Sequence, residues 1–141
     1  MFDHISIGVT DLGRAICFYK ACLAPLGWEM VTDLRPHGEP VVAFGRNGAP
    51  ALWLAEESDG PVTAIGTHVA FPAPDHDAVD EFHTAGLQQG GTCNGPPGIR
   101  DRYDPTYYAA FLKDPDGHHV EAVHASWSHH HFASGSASPK R

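Results

Sequence analysis

The sequence predicts an α+β domain built from two βαβββ units, and three observations carry that prediction. The chain nearly repeats itself at an offset of 64 residues: His4 answers to His68, Asp11 to Asp75, Phe18 to Phe82 and Gly27 to Gly91. Such self-similarity dictates architecture before any local reading does. Each copy opens with an alternating, strand-like segment that runs into an amphipathic helical pattern. Short apolar runs separated by turn residues follow in both. The expected units span residues 1–60 and 66–126 of one domain at 1–126, and residues 127–141 are expected to form a flexible C-terminal tail.

In residues 3–9, Ile5, Ile7 and Val9 alternate with His4, Ser6 and Gly8, as in a half-buried strand. Thr10 and Asp11 are N-cap candidates for a helix whose apolar stripe runs through Leu12, Ala15, Ile16, Tyr19, Cys22, Leu23 and Leu26. Pro25 and Gly27 end it. Strands are then expected at Trp28–Asp33, Val41–Gly45 and Ala51–Ala55, with Asn47-Gly48 as a hairpin signal. Residues 56–66 form the connection. The second unit starts at Thr67–Phe71. Pro72 and Pro74 break that strand, Asp75 caps the next helix, and Ala78, Val79, Phe82, Ala85 and Gly86 form its inner stripe up to Gly90-Gly91. Residues 93–106, rich in Gly, Pro, Arg and Asp, predict a long loop of the kind that tends to be functional. Tyr107–Lys113 and His118–Ala125 are the last strands, joined by Asp114-Pro115-Asp116-Gly117.

With 141 residues the chain can bury a real core, and 42% hydrophobic with 18% charged residues is a globular composition. A formal net charge of −8 argues against a nucleic-acid or acidic-membrane partner. No apolar run approaches a membrane span. The N-terminus lacks the pattern of a signal peptide, so a cytoplasmic location is expected. Cys17, Cys22 and Cys93 do not make a disulfide framework, and small buried or half-buried thiols are the expected use.

The repeat places His4 and His68 at equivalent points of two similar units, which is how a symmetric fold builds a central metal site. Glu121, in the last strand, would complete it. Strand parity puts Glu121 on one face with His119 and Val123, and His68 on one with Ala70. A lone histidine in a strand is more often a hydrogen-bonded structural residue, so it is the pairing at the repeat offset that carries weight. Packing or solvation is the ordinary use of Trp53, Phe44, Arg100, Arg102, Tyr103, Tyr107 and Tyr108. Of the three tyrosines one is expected to project inward as a hydrogen-bond donor or acid.

The duplicated pattern resembles the vicinal oxygen chelate superfamily, which includes glyoxalase I, extradiol dioxygenases and bleomycin-resistance proteins. The motifs are Asp3-His4-Ile5-Ser6-Ile7-Gly8-Val9, Phe18-Tyr19, Gly66-Thr67-His68-Val69-Ala70-Phe71 and Asp114-Pro115-Asp116-Gly117-His118-His119-Val120-Glu121. The resemblance implies an eight-stranded, cup-shaped sheet system that holds a divalent ion (Fe2+, Mn2+, Ni2+ or Zn2+) on His4, His68 and Glu121. It implies a lyase, isomerase or dioxygenase acting on a small molecule whose adjacent oxygens chelate the ion. Glu121 and Tyr108 are then the catalytic candidates, and Trp53, Arg100, Tyr103, Tyr107 and His119 the substrate contacts. Glyoxalase I has a fourth ligand position in the last strand of the first unit, where Ala51-Leu52-Trp53-Leu54-Ala55 offers no donor. Two histidines and a carboxylate form instead a facial triad. A homodimer is compatible with the resemblance. The rival reading is a non-catalytic binding protein of the bleomycin-resistance kind.

Overall fold

A computed structural model describes residues 2–133. The order of elements is β1 (Ile5–Val9), α1 (Leu12–Leu23), β2 (Glu29–Asp33), β3 (Val41–Arg46), β4 (Ala49–Glu56), β5 (His68–Pro72), α2 (His76–Gln88), β6 (Thr92–Ile99), β7 (Tyr108–Lys113), β8 (His119–His124) and a single turn, α3 (His129–Phe132). The predicted βαβββ repeat is present in both halves. The eight strands form two four-stranded sheets, ordered β1-β4-β3-β2 and β5-β8-β7-β6. In each half the first strand pairs parallel with the last, and the remaining pairs are antiparallel.

The helices start where the sequence places their caps. The Asp11 carboxylate accepts from the Arg14 amide, and the Asp75 carboxylate from the Ala78 amide. Each such cap contributes about 1 kcal/mol by satisfying an otherwise orphaned donor. After α1 a 3-10 turn over Ala24–Leu26 ends at Gly27, whose φ of 87° is open to glycine at little cost. Val9, Leu12, Phe18, Tyr19, Leu23, Val42, Phe44, Leu54, Phe71, Val79, Phe82, Leu112 and Val120 belong to one continuous core shared by both halves. Phe44 is fully buried in that core.

Polar contacts also join the halves. The Tyr19 hydroxyl donates to Asp114 (2.6 Å), and Thr10 Oγ1 and Arg14 both donate to Asp116. His118 Nε2 meets the Gly8 carbonyl at 2.7 Å. The Asp114–Gly117 turn between β7 and β8 is therefore fastened to β1 and α1.

Two segments differ from expectation. Residues 92–99, expected largely as loop, are strand β6, in spite of Gly95-Pro96-Pro97-Gly98. β6 is the outer edge of its sheet, where a proline lacking N–H is tolerated, and the register shifts between Cys93 and Gly95 and between Gly95 and Gly98 absorb the misfit. The first residues of the expected tail pack on the domain. Ser128 is buried and its hydroxyl accepts from the Ala125 amide, while the Arg46 guanidinium lies 4.3 Å over the Phe132 ring and donates to the His131 carbonyl. Residues 134–141 of that expected tail lie outside the described residues. Among the described residues no helix is long and apolar enough to cross a membrane.

Candidate functional site

Strand parity decides which side chains meet. In β5, Val69 and Phe71 pack towards the core, which leaves His68 and Ala70 on the opposite, open face. In β8, Val120 and Ala122 are core, so His119 and Glu121 share that open face. The parallel register sets His68 beside His119 and Ala70 beside Glu121. Glu121 thus lies diagonal to His68, and the two side chains converge: His68 Nε2 is 3.3 Å from Glu121 Oε1. The imidazole is about half exposed (56%), whereas the carboxylate is nearly covered (3%).

Tyr107 holds the other carboxylate oxygen, its hydroxyl donating to Glu121 Oε2. Burial, then the hydrogen bond to Glu121 and its charge, push the Tyr107 phenol well above its ordinary value. The phenol therefore remains a donor across the physiological range, and Glu121 keeps Oε1 turned towards His68. Both open on a cavity of about 530 Å³, lined also by Thr67, Asn94, Tyr103, Phe111 and His119. Phe111 is the direct cross-strand partner of Glu121.

His4 stands apart from this pair. It is on the open face of the first sheet with Ser6, its Nδ1 lies 2.6 Å from Asp3, and its ring meets Trp53 edge-on at 6.4 Å. His4 and His68 do border one cleft of about 760 Å³ between β1 and β5, whose walls include Ile5, Ile7, Trp28, Leu52, Val69 and Phe71. Among the described residues no three His, Cys, Asp or Glu side chains are close enough to hold a metal ion. The expected set is assembled within one chain only as far as its His68–Glu121 pair.

Other candidates sort by face as well. Tyr108, expected as the acid, is on the helix side of β7: its hydroxyl donates to Asp80 (2.6 Å) and its ring stacks on His76 at 4.0 Å. It takes no part in the cavity, because one residue along a strand reverses the side chain. Tyr107 is the phenol that the cavity uses. Tyr103 and His119, two of the substrate-contact candidates, line the cavity. Arg100 is drawn to the Pro96 carbonyl (2.6 Å) and lies 5.2 Å from the Phe111 ring centroid, behind the cavity wall. Arg102 covers its neighbour Tyr103. Trp53 flanks His4 instead of the cavity. Asn94, Thr67 and Phe111 were not singled out by the sequence. Phe111 was within reach by parity with Tyr107, whereas Asn94 was hidden by the loop-like composition around it.

The chain is a duplicated βαβββ domain with an imidazole–carboxylate pair on adjacent parallel strands of its second sheet. The sequence model of the Glyoxalase/Bleomycin resistance protein/Dioxygenase superfamily matches residues 1–122, and the chain belongs to that superfamily. It is similar to a glyoxalase/bleomycin resistance protein from Albidiferax ferrireducens T118, with 34% identity over 88% of this chain and 98% of that one, and a TM-score of 0.74. A glyoxalase-related enzyme from Fulvimarina pelagi shares the fold at 18% identity, covering 87% of this chain and 86% of its own, with a TM-score of 0.63. So does a mutant of glyoxalase I from Zea mays, at 21% identity and a TM-score of 0.64; the match covers 85% of this chain and 45% of that one.

Proposed function

We propose that the protein is a metal-dependent enzyme acting on a small molecule with two adjacent oxygens, bound in the cavity over β5 and β8. The observation that carries this reading is the His68–Glu121 pair, 3.3 Å apart and opening on a space of small-molecule size. An imidazole and a buried carboxylate are a donor pair suited to a divalent ion, and a carboxylate so covered is costly without a cationic partner. His68 and Glu121 would hold the ion and His4 would be the third ligand, reached by closure of the β1–β5 cleft or from a second copy of the chain. When bound, the ion supplies Lewis-acid stabilisation of charge on substrate oxygen, or oxygen chemistry if it is Fe(II).

The protein's own residues divide the remaining work. Tyr107 fixes Glu121 Oε2, so that Oε1 is the oxygen presented beside His68 for the ion. Phe111 and Tyr103 give the cavity an aromatic wall, and Asn94 with Thr67 offers polar contacts to substrate oxygen. Lyase, isomerase or dioxygenase chemistry is compatible with this arrangement.

A second reading, a binding protein of the bleomycin-resistance kind, is favoured by the larger, mainly apolar cleft between β1 and β5 and by the separation of His4 from the pair. Metal content distinguishes the two. The full chain carrying Gln at His129, His130 and His131 is loaded with Fe(II), Mn(II), Ni(II) or Zn(II) in turn and analysed by mass spectrometry beside His68→Ala. About one ion per chain, lost in the His68→Ala protein, supports the enzyme reading. Absence of an ion under all four conditions sinks it and leaves ligand binding.

A further inference from the structure

On the helix-covered side of the second sheet, two side chains outside the cavity meet as a thiol–imidazole pair. Cys93 in β6 is paired with Leu112 of β7, a core residue, so its side chain points to the same side as α2. His83 of α2 reaches it there, with Nε2 3.2 Å from Cys93 Sγ. Cys93 is exposed. The other cysteines provide contrasting environments: Cys17 is exposed on α1 with no imidazole bonded to it among the described residues, and Cys22 is buried, its thiol pushed far up by that burial.

The thiolate is the nucleophilic form of cysteine, and a hydrogen-bonded neutral imidazole is placed to take the thiol proton as sulfur attacks. Partial burial holds His83 below the ordinary histidine value, which keeps it in the neutral, accepting form near pH 7. Asp80, one turn earlier in α2, favours the imidazolium once it forms. The pair therefore has a base in the correct state and an open approach to sulfur.

We propose that Cys93 and His83 form a covalent capture site for low-molecular-weight disulfides. Cys93 Sγ attacks one sulfur of the incoming disulfide while its proton passes to His83 Nε2. A new Sγ–S bond forms and the incoming S–S bond breaks. The leaving thiolate takes the proton back from His83, so one protein mixed disulfide and one free thiol result. Cys93 is oxidised and half of the incoming disulfide is reduced, with no other electron acceptor required.

The test uses the full native chain and dipyridyl disulfide, an uncharged probe that the protein's negative charge does not repel. Thiopyridone release gives the rate, and peptide mass mapping gives the site. Cys93 should react at pH 7 about tenfold or more faster than Cys17, the gain expected from a hydrogen-bonded base beside the thiol. His83→Gln should bring Cys93 down to about the Cys17 rate, and Cys93→Ser should remove the fast phase alone. Cys22 should stay unlabelled throughout, which reports that each variant is folded. Equal rates at Cys93 and Cys17, or a Cys93 rate unchanged by His83→Gln in protein whose Cys22 is protected, would overturn the proposal.

Discussion

The two halves share a topology, but their open faces have diverged. In the first, Ser6, two residues after His4, pairs with Trp53; in the second, Ala70, two residues after His68, pairs with Glu121. Trp53 and Glu121 are thus equivalent positions, one an aromatic against a histidine, the other a carboxylate against a histidine. The backbone offers the same platform twice, and a single side-chain type decides what faces the histidine on it. The helices show a related asymmetry. Cys22 and Gly86 are equivalent at the repeat offset, and a Cβ added to Gly86 would lie 3.6 Å from Cys22 Cβ and 2.3 Å from Leu112 Cδ1. The added atom would meet Cys22 at ordinary contact distance, and it is Leu112 that stands in its way.

The largest expected effect tests the first contrast. If the proposed site is correct, Glu121→Ala should weaken binding of a divalent ion more than ~100-fold by removing one of its two proposed ligands in this half, whereas Trp53→Ala should leave it nearly unchanged. Isothermal titration with Ni(II) or Zn(II) measures both, and equal losses would show that the halves contribute alike. Next, Tyr107→Phe should weaken the same binding about tenfold, as loss of a hydrogen bond behind a ligand usually does, while Tyr108→Phe should leave it unaltered. Reversal of that order would put the wrong tyrosine beside Glu121.

The helix contrast yields a smaller change, read in stability. Gly86→Ala gains helix propensity of about 1 kcal/mol but overpacks a site next to fully buried Leu112, at a cost of about 1–3 kcal/mol. Net destabilisation of about 1 kcal/mol is expected in urea unfolding, and a stabilised variant would mean that Leu112 yields freely. The smallest effect is alkaline. Burial first, with neighbouring Asp114 for Tyr19 and the Glu121 bond for Tyr107, raises both phenols in the folded chain. The unfolded chain loses these protons first, at about pH 10. Stability contributed by the neutral phenols is therefore complete below pH 10 and declines as pH climbs from there towards the folded values. Thermal midpoints between pH 9 and 11 measure that decline, and Tyr107→Phe should flatten part of it.

Much of this was legible in the sequence because side-chain period and repeat offset are local properties. They gave both helix caps, most of the order of elements, and the parity that sets His68 with Ala70 and Glu121 with His119. They were less informative where tertiary context ruled. Gly95-Pro96-Pro97-Gly98 reads as loop until its place at a sheet edge is known. Adjacent tyrosines look interchangeable until the phase of β7 against the helices sends Tyr108 to Asp80 and Tyr107 to Glu121. The position of His4 relative to the pair depends on how the halves meet, which no spacing encodes. Ser128 and Phe132 lie in a Ser/His-rich stretch that composition assigns to solvent, yet a buried hydroxyl and Arg46 anchor it.

The Asp114–Gly117 turn leads directly into the strand that bears Glu121, and its carboxylates are held by Tyr19, Thr10 and Arg14 of the other half. Separating the halves would strip the buried Asp114 of the Tyr19 hydroxyl and open the common core. Neither half is then an autonomous folding unit, and the chain should melt in one cooperative transition. A substitution under α1 would accordingly be felt at the carboxylate through the turn, so that the chemically plain half governs how steadily the other holds its pair.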